Sequence, residues 1–309
     1  MNPTRIHDKA EACAITCRTL STRDECAEVA ALERRIWGPD YDEAVTLALL
    51  LVTTARGAIL IGAFDDDQMI GFVYSLNGVK NGTPVQWSYK LGVAREYRNE
   101  GLGRRLKLLQ RERAIEMGVN LIEWTFDPLL APNAYLNLTK LGAVVHEYTE
   151  DLYGQSLAPV LHRKIPTDRL IATWDLQANH VRKRLSSPAP SVDGGTAKHL
   201  LEDAVRVNHA RKRGEWLECC DVALEIKAPR LMIEIPLDYS EMVTRAPLTA
   251  LDWRLSVRQI FNAYLQRGYG AVEFIIDAFN RRGAYLLVPT AESNQRQKSA
   301  FSPAHSLSI

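Results

Sequence analysis

The sequence is short of cysteine and holds it in no scaffold-building arrangement. Cys13, Cys17, Cys26, Cys219 and Cys220 are five in number, with two adjacent. No Cys-x-x-Cys or paired histidine spacing accompanies them. This argues against a disulfide framework or a structural zinc site, and it fits a reducing compartment. Net charge is nearly absent, 38 Lys and Arg against 37 Asp and Glu leaving +1. That gives no electrostatic case for nucleic acid as a partner. The basic clusters Arg182-Lys183-Arg184 and Arg211-Lys212-Arg213 read as solvated flanks. Long apolar runs are missing too. The longest, Leu47 to Val52, is far below the roughly 20 residues a spanning helix needs, and no basic-then-apolar leader opens the chain. The expectation is a cytoplasmic protein with neither a membrane nor a nucleic acid partner and no bound metal.

What is present suits a globular fold. Of 309 residues 46% are hydrophobic and 24% charged, enough for one full domain and a smaller one. Ala12 to Leu20 reads as a strand. Ser21 to Asp24 offers helix caps, followed by a helix from Glu25 to Trp37, a break at Gly38-Pro39-Asp40 and a second helix from about Asp42 to Ala55. Ala58 to Phe64 and Met69 to Leu76 flank the acidic turn Asp65-Asp66-Asp67-Gln68, a hairpin signature. After a turn at Asn81-Gly82-Thr83-Pro84, Val85 to Val93 forms the next strand. Leu102 to Met117 is an amphipathic helix stopped at Gly118, and Leu121 to Phe126 a strand buried on both faces. A short helix from about Asn133 to Lys140 follows, then strands Val144 to Tyr153 and Arg169 to Leu176.

The most informative stretch is Arg98-Asn99-Glu100-Gly101-Leu102-Gly103-Arg104, between the strand ending at Val93 and the Leu102 helix. It sets unpaired backbone N–H groups at a helix N-terminus, where the helix dipole and the arginines favour a diphosphate. The glycines let a ligand approach the main chain. No Gly-x-x-x-x-Gly-Lys-Ser/Thr run exists, so a nucleoside triphosphatase is poorly supported. A dinucleotide-binding oxidoreductase is a second reading, with Glu123 placed for a ribose hydroxyl. Against it, Leu106 stands where a third small residue belongs, and Gly101 comes eight positions after Val93, too late for that tight turn.

The third reading is a family resemblance. Arg98-x-x-Gly101-x-Gly103, the preceding Leu91-x-Val93, Asn133-Ala134-Tyr135 and Lys140-Leu141-Gly142 resemble the motifs of the GNAT N-acyltransferase superfamily. The element order over about residues 12–177 matches as well. The resemblance implies a mixed, mostly antiparallel sheet flanked by helices, and acetyl-CoA or another acyl-CoA as co-substrate. Backbone groups of Arg98, Asn99, Glu100, Gly101, Leu102, Gly103 and Arg104 would hold the diphosphate. Leu91 and Val93 would pair with the pantetheine arm and Asn133 would contact it further along. Many members carry a tyrosine acid four residues before the glycine that ends the short helix. Here that position is Leu138, and Tyr135, about one turn earlier, is the substitute candidate.

The chemistry needs a neutral amine, an oriented thioester carbonyl and a proton for the leaving thiolate. Glu123, amid Ile122, Trp124 and Phe126, and Asp127 are candidates for the base. For Glu123 the alternative is an ion pair with a residue such as Lys90; for Asp127, ahead of Pro128, it is a turn cap. Trp87 and Tyr89 are candidate acceptor-pocket residues. The activity expected is N-acyl transfer by direct attack of a small-molecule amine on the thioester. A CoA-binding module without catalysis is the alternative that Leu138 permits, and a homodimer stays open.

Four segments are expected: an acyl-CoA-binding domain over 12–178, a flexible connector over 179–215, a smaller α/β domain over 216–290 and a disordered tail over 291–309. In the smaller domain Arg230 to Pro236, Trp253 to Gln266, Ala271 to Asp277 and Ala284 to Val288 read as strand, helix, strand, strand. Its helix, Gly268 and strand echo the Leu102 helix, Gly118 and the Leu121 strand. Generic α/β construction explains the echo, and a degenerate duplicate without the phosphate motif is the alternative.

Overall fold

The computed structural model describes residues 15–39, 41, 44–154, 165–186 and 201–290, in two compact units that divide at Val119/Asn120. The expected tail and the middle of the expected connector lie outside the described residues, as do Cys13 and the first part of the expected opening strand.

The first unit is an antiparallel sheet of β1 (Thr16–Thr19), β2 (Ile59–Asp65), β3 (Gln68–Lys80) and β4 (Thr83–Val93), in that order. Its helices are α1 (Arg23–Trp37), α2 (Leu47–Thr54) and α3 (Leu102–Glu116). Thr22 and Glu25 close a capping box on α1: the Glu25 N–H donates to the Thr22 hydroxyl and the Glu25 carboxylate accepts from the Thr22 N–H. Cys26, Val29 and Leu32 of α1 then pack with Leu50, Leu60, Phe72 and Tyr74 in one core. Helix α2 begins at Leu47, later than expected. The Val45 N–H donates to Glu33, and Thr46, in extended conformation, caps the helix by accepting from the Leu49 N–H.

Strand β3 runs four residues beyond its expected end. The turn at Asn81 and Gly82, with φ of 51° and 77°, is of the kind that matches strand twist and keeps Asn77 to Lys80 paired with β4. The ladder is irregular at one place. Tyr74 faces Lys90 but Ser75 faces Ser88, so Tyr89 bulges out of β4.

The second unit holds β5 (Leu121–Phe126), β6 (Val144–Thr149), β7 (Arg169–Asp175), β8 (Val205–Arg206), β11 (Leu231–Pro236), β12 (Tyr269–Asp277) and β13 (Arg282–Pro289). They pair in the order β5-β7-β6-β12-β13-β11-β8, antiparallel except for β11 with β8. A separate hairpin pairs β9 (His209–Arg213) with β10 (Trp216–Cys220). The helices are α4 (Ala131–Ala134), α5 (Asn179–Ser186), α6 (Tyr239–Arg245) and α7 (Pro247–Gln266).

Several expectations change here. Strand β6 ends at Thr149, because Asp151 turns the chain with φ 42°. Within 179–215, α5, β8 and β9 stand where a flexible connector was expected. The C-terminal strands do not form a sheet of their own. β12 pairs with β6 at Ala271 and Val145, the Phe274 N–H donates to the Thr139 hydroxyl, and Arg184 pairs with Glu273. The chain after residue 120 is therefore one compact body. No helix among the described residues is long and apolar enough to cross a membrane.

Candidate functional site

The loop-to-helix junction after β4 is built as its residues require. Ala94 is buried and its N–H donates to the Ile70 carbonyl at 2.8 Å. In an antiparallel ladder hydrogen-bonded and non-bonded pairs alternate. Ala94 thus puts Gly92 and Lys90 in the bonded set with β3. The backbone N–H and C=O groups of Leu91 and Val93 turn to the opposite side of β4. A single 3-10 turn, Arg95–Tyr97, leads into Arg98, whose Nε donates back to the Val93 carbonyl at 3.0 Å. Asn99 has φ 68° and Gly101 φ 85°, and α3 starts with Leu102.

This helix start has no side-chain cap and no acidic residue in its first turn. Its first N–H groups therefore have no intrahelical acceptor and no carboxylate competes for them. Arg104 Nε is buried with no hydrogen-bond partner among the described residues. A Cβ built on Gly101 would meet nothing within 4 Å, whereas one on Gly92 would come within 2.7 Å of Phe72 and 2.9 Å of Ile36. Gly92 is needed for internal packing. Gly101 faces open space, and its left-handed backbone is what the turn demands. The junction fits an anionic ligand lying on the main chain.

Two polar groups lie inside the same unit. Lys107, on α3, is buried and donates to Ser88 Oγ at 2.9 Å and Gln110 Oε1 at 2.8 Å. Burial holds its amine well below the usual lysine range. Lys90 pairs with the buried Glu33 at 2.8 Å and lies over the rings of Tyr41, Tyr89 and Trp37 at 4.7, 5.5 and 5.6 Å. Sequence reasoning named Lys90 only as a neighbour for Glu123 and missed Lys107. A lone lysine on a polar helix carries no sign that it turns inward.

In the second unit, Glu123 on β5 is buried and accepts from the Thr173 hydroxyl at 3.2 Å. Asp127 is not a free base. Its Oδ1 accepts the Leu129 N–H at 2.8 Å, the turn cap that its place before Pro128 suggests. Its Oδ2 accepts from Arg254 Nη2 at 2.5 Å, and Arg169 lies 3.7 Å away. With those oxygens held, the expectation of Asp127 as proton acceptor is withdrawn.

The expected short helix is α4 followed by a π-helical turn, Tyr135–Lys140, an uncommon widening of the kind found often at functional sites. Asn133 is exposed on α4, Leu138 is fully buried and Gly142 turns the chain out with φ 75°. Tyr135 is buried beside Lys140, whose Nζ is 5.3 Å from its ring. Burial, with the nearby Glu273 charge, raises its pKa, so it keeps its proton at neutral pH.

No curated protein matches the chain. Among solved structures, an acetyltransferase of the GNAT family from Streptococcus pneumoniae is 16% identical, with 52% of this chain and 98% of that chain covered at TM-score 0.43. The ribosomal-protein-S18-alanine N-acetyltransferase from Escherichia coli is 14% identical, with 53% and 96% covered at TM-score 0.43. The PaiA N-acetyltransferase from Thermoplasma acidophilum, in complex with coenzyme A, is 17% identical, with 52% and 99% covered at TM-score 0.39. A family model described as Acetyltransferase (GNAT) family matches residues 24–136, the stretch that carries α1, the β2–β4 sheet, the open helix start and β5. Over those residues the chain is similar to the GNAT acetyltransferase family.

Proposed function

We propose that the protein transfers an acyl group, acetyl in the first instance, from acyl-CoA to the amine of a small molecule by direct attack. The observation that carries this reading is the uncapped start of α3 beside the left-handed Gly101, with buried Arg104 Nε awaiting an acceptor. Those N–H groups and the arginine suit a diphosphate. The outward backbone groups of Leu91 and the Val93 N–H are the proposed partners for the amides of a pantetheine arm, pairing as an added strand would. Asn133 is the proposed contact further along that arm.

The chemistry asks for little beyond positioning, which in favourable cases is worth about 7–11 kcal/mol. Glu123 is the proposed base that takes the ammonium proton. The neutral nitrogen then forms the C–N bond as the C–S bond breaks, and the second proton it sheds on becoming an amide replaces the one that the leaving thiolate takes. Tyr135, still a phenol at neutral pH, is the proposed acid for the departing thiolate. A backbone N–H of β4 near Leu91 would polarise the thioester oxygen. A cytoplasmic setting and a homodimer belong to this reading as proposals.

The test is a thiol-release assay with acetyl-CoA and a panel of amines, paired with a CoA titration followed by tryptophan fluorescence. We expect CoA binding, amine-dependent thiol release, and loss of both in Gly103→Val. Binding without release across the panel would leave a CoA-binding module. Preference for a nicotinamide dinucleotide over CoA would overturn the reading.

A further inference from the structure

Ser88, Lys107 and Gln110 close a ring of hydrogen bonds inside the first unit. Lys107 Nζ lies 2.9 Å from Ser88 Oγ and 2.8 Å from Gln110 Oε1, and Gln110 Nε2 donates to Ser88 Oγ at 3.1 Å. Lys107 and Gln110 stand one turn apart on the same face of α3, and both reach Ser88 on β4. All three are buried: Ser88 is 6% exposed, Lys107 2% and Gln110 0%. Apolar side chains would fill this space without taking an amine out of water, so packing alone does not account for the cluster.

The arrangement is that of a nucleophile, a base and a group that orients the base. In water a lysine is protonated at neutral pH, but burial holds this amine well below the usual range. Once neutral, it has two N–H groups and one lone pair. Lys107 then donates to Gln110 Oε1, Gln110 Nε2 donates to Ser88 Oγ, and the Ser88 hydroxyl turns its hydrogen to the lysine lone pair across the same 2.9 Å. In that state the ring is closed, and Ser88 Oγ keeps a lone pair for attack.

The place of Ser88 on β4 says what it would attack. The proposed carrier lies with its diphosphate at the start of α3 and its arm past Val93 and then Leu91. Continued in that direction, the arm brings its thioester end to Tyr89 and Ser88, about 17 Å of strand from Val93. Ser88 directly precedes the bulge at Tyr89, and bulges are frequent next to active sites, where they re-aim a side chain. Ser88 also faces α3, the helix whose start is the proposed phosphate site.

We propose that Ser88 is a nucleophile with Lys107 as its base, and that the pair gives the protein a second activity, hydrolysis of the acyl-CoA thioester when no amine is bound. The choice of thioester rests on the acyl-CoA reading; the pair itself does not. Ser88 Oγ forms a C–O bond as the C–S bond breaks. Its proton passes to Lys107 Nζ and from there to the departing sulfur, which leaves as a thiol. Water then attacks the acyl-serine and gives a proton to Lys107, which returns it to Ser88 Oγ as that C–O bond breaks. The carboxylic acid so formed sheds its proton to solvent.

The experiment uses the full chain with no amine added. Thiol release from acetyl-CoA reads hydrolysis, and 4-nitrophenyl acetate, an ester that needs no CoA site, reads the pair by itself. An alkyl fluorophosphonate, which marks an activated serine irreversibly, is mapped by peptide mass spectrometry. We expect the label on Ser88, slowed roughly 100-fold or more in Lys107→Met, and a similar fall of thiol release in Ser88→Ala. No adduct on Ser88 from either reagent in the unaltered protein overturns the proposal, whether or not the variants fold. Labelling as fast in Lys107→Met as before, or thiol release undiminished in Ser88→Ala, overturns it too. Adducts on Ser88 in a protein that shows no affinity for CoA in titration would sustain the pair and sink the acyl-CoA reading.

Discussion

Lys90 Nζ lies 2.8 Å from Glu33 Oε1, and the Glu33 side chain is wholly buried. The other Glu33 oxygen accepts the Val45 N–H at 2.8 Å, so one carboxylate ties α1 to β4 and to the segment before α2. Removing one member of a buried pair leaves a charge without its counterion, at about 3–5 kcal/mol. Glu33→Gln should therefore lower the urea midpoint strongly at pH 7. The double variant Glu33→Gln/Lys90→Gln should lose less than the sum of the two single losses. Strict additivity in that double-mutant cycle would show that the pair is not coupled.

The two glycines on either side of the turn after β4 separate packing from binding. Gly92→Ala drives a Cβ against Phe72 and Ile36 at 2.7 and 2.9 Å, an overpacking that costs about 1–3 kcal/mol. Gly101→Ala meets no neighbour and is opposed only by its φ of 85°, about 1–2 kcal/mol. Melting curves should show Gly92→Ala at least as destabilised, while CoA titration should show the larger loss of affinity in Gly101→Ala. The reverse order of affinities would move the phosphate site away from the start of α3.

Local chemistry made the first unit legible. The turn Asp65-Asp66-Asp67-Gln68, the turn at Asn81-Gly82 and the caps offered within Ser21 to Asp24 each specify a turn or a helix end within a few residues, and all three appear in the structure. The Arg98 to Gly103 loop was legible for the same reason. The second unit depends on partners far apart in sequence. Ala271 meets Val145, Arg254 meets Asp127 and Arg258 meets Asp168. Nothing in a window around either arginine distinguishes an inward guanidinium from a solvated one, although Trp253, Val257 and Phe261 beside them mark α7 as a buried helix. The polar run over 179–215 concealed α5, β8 and β9, because short elements held by tertiary contacts leave little periodicity.

Lys107 makes stability depend on pH in the alkaline direction. Burial lowers its pKa in the folded protein, so between that value and the unfolded value of about 10.4 the unfolded chain binds more protons. Stability then rises with pH across that window, by up to about 1.4 kcal/mol per pH unit. Urea unfolding between pH 7 and 9.5 should show this rise in the unaltered protein and a flatter profile in Lys107→Met. Parallel profiles would mean that Lys107 stays charged in the fold.

Asp168 sets the opposite, acidic limit. Burial alone would raise its pKa, but Arg258, the Tyr148 hydroxyl and the Asp151 N–H bond its carboxylate and hold the net value below the usual one. A folded pKa below the unfolded value stabilises the protein above the unfolded value, about 3.9 for aspartate, and the contribution is lost as pH falls through the folded value. Asp168→Asn should thus cost about 3 kcal/mol at pH 7, because Arg258 keeps its charge without the carboxylate. The gap between variant and unaltered protein should stay constant down to about pH 5 and narrow below about pH 4. Urea midpoints at pH 7, 5 and 3.5 measure it. A gap as wide at pH 3.5 as at pH 7 would show that the carboxylate charge is not what holds the turn after β6 to α7.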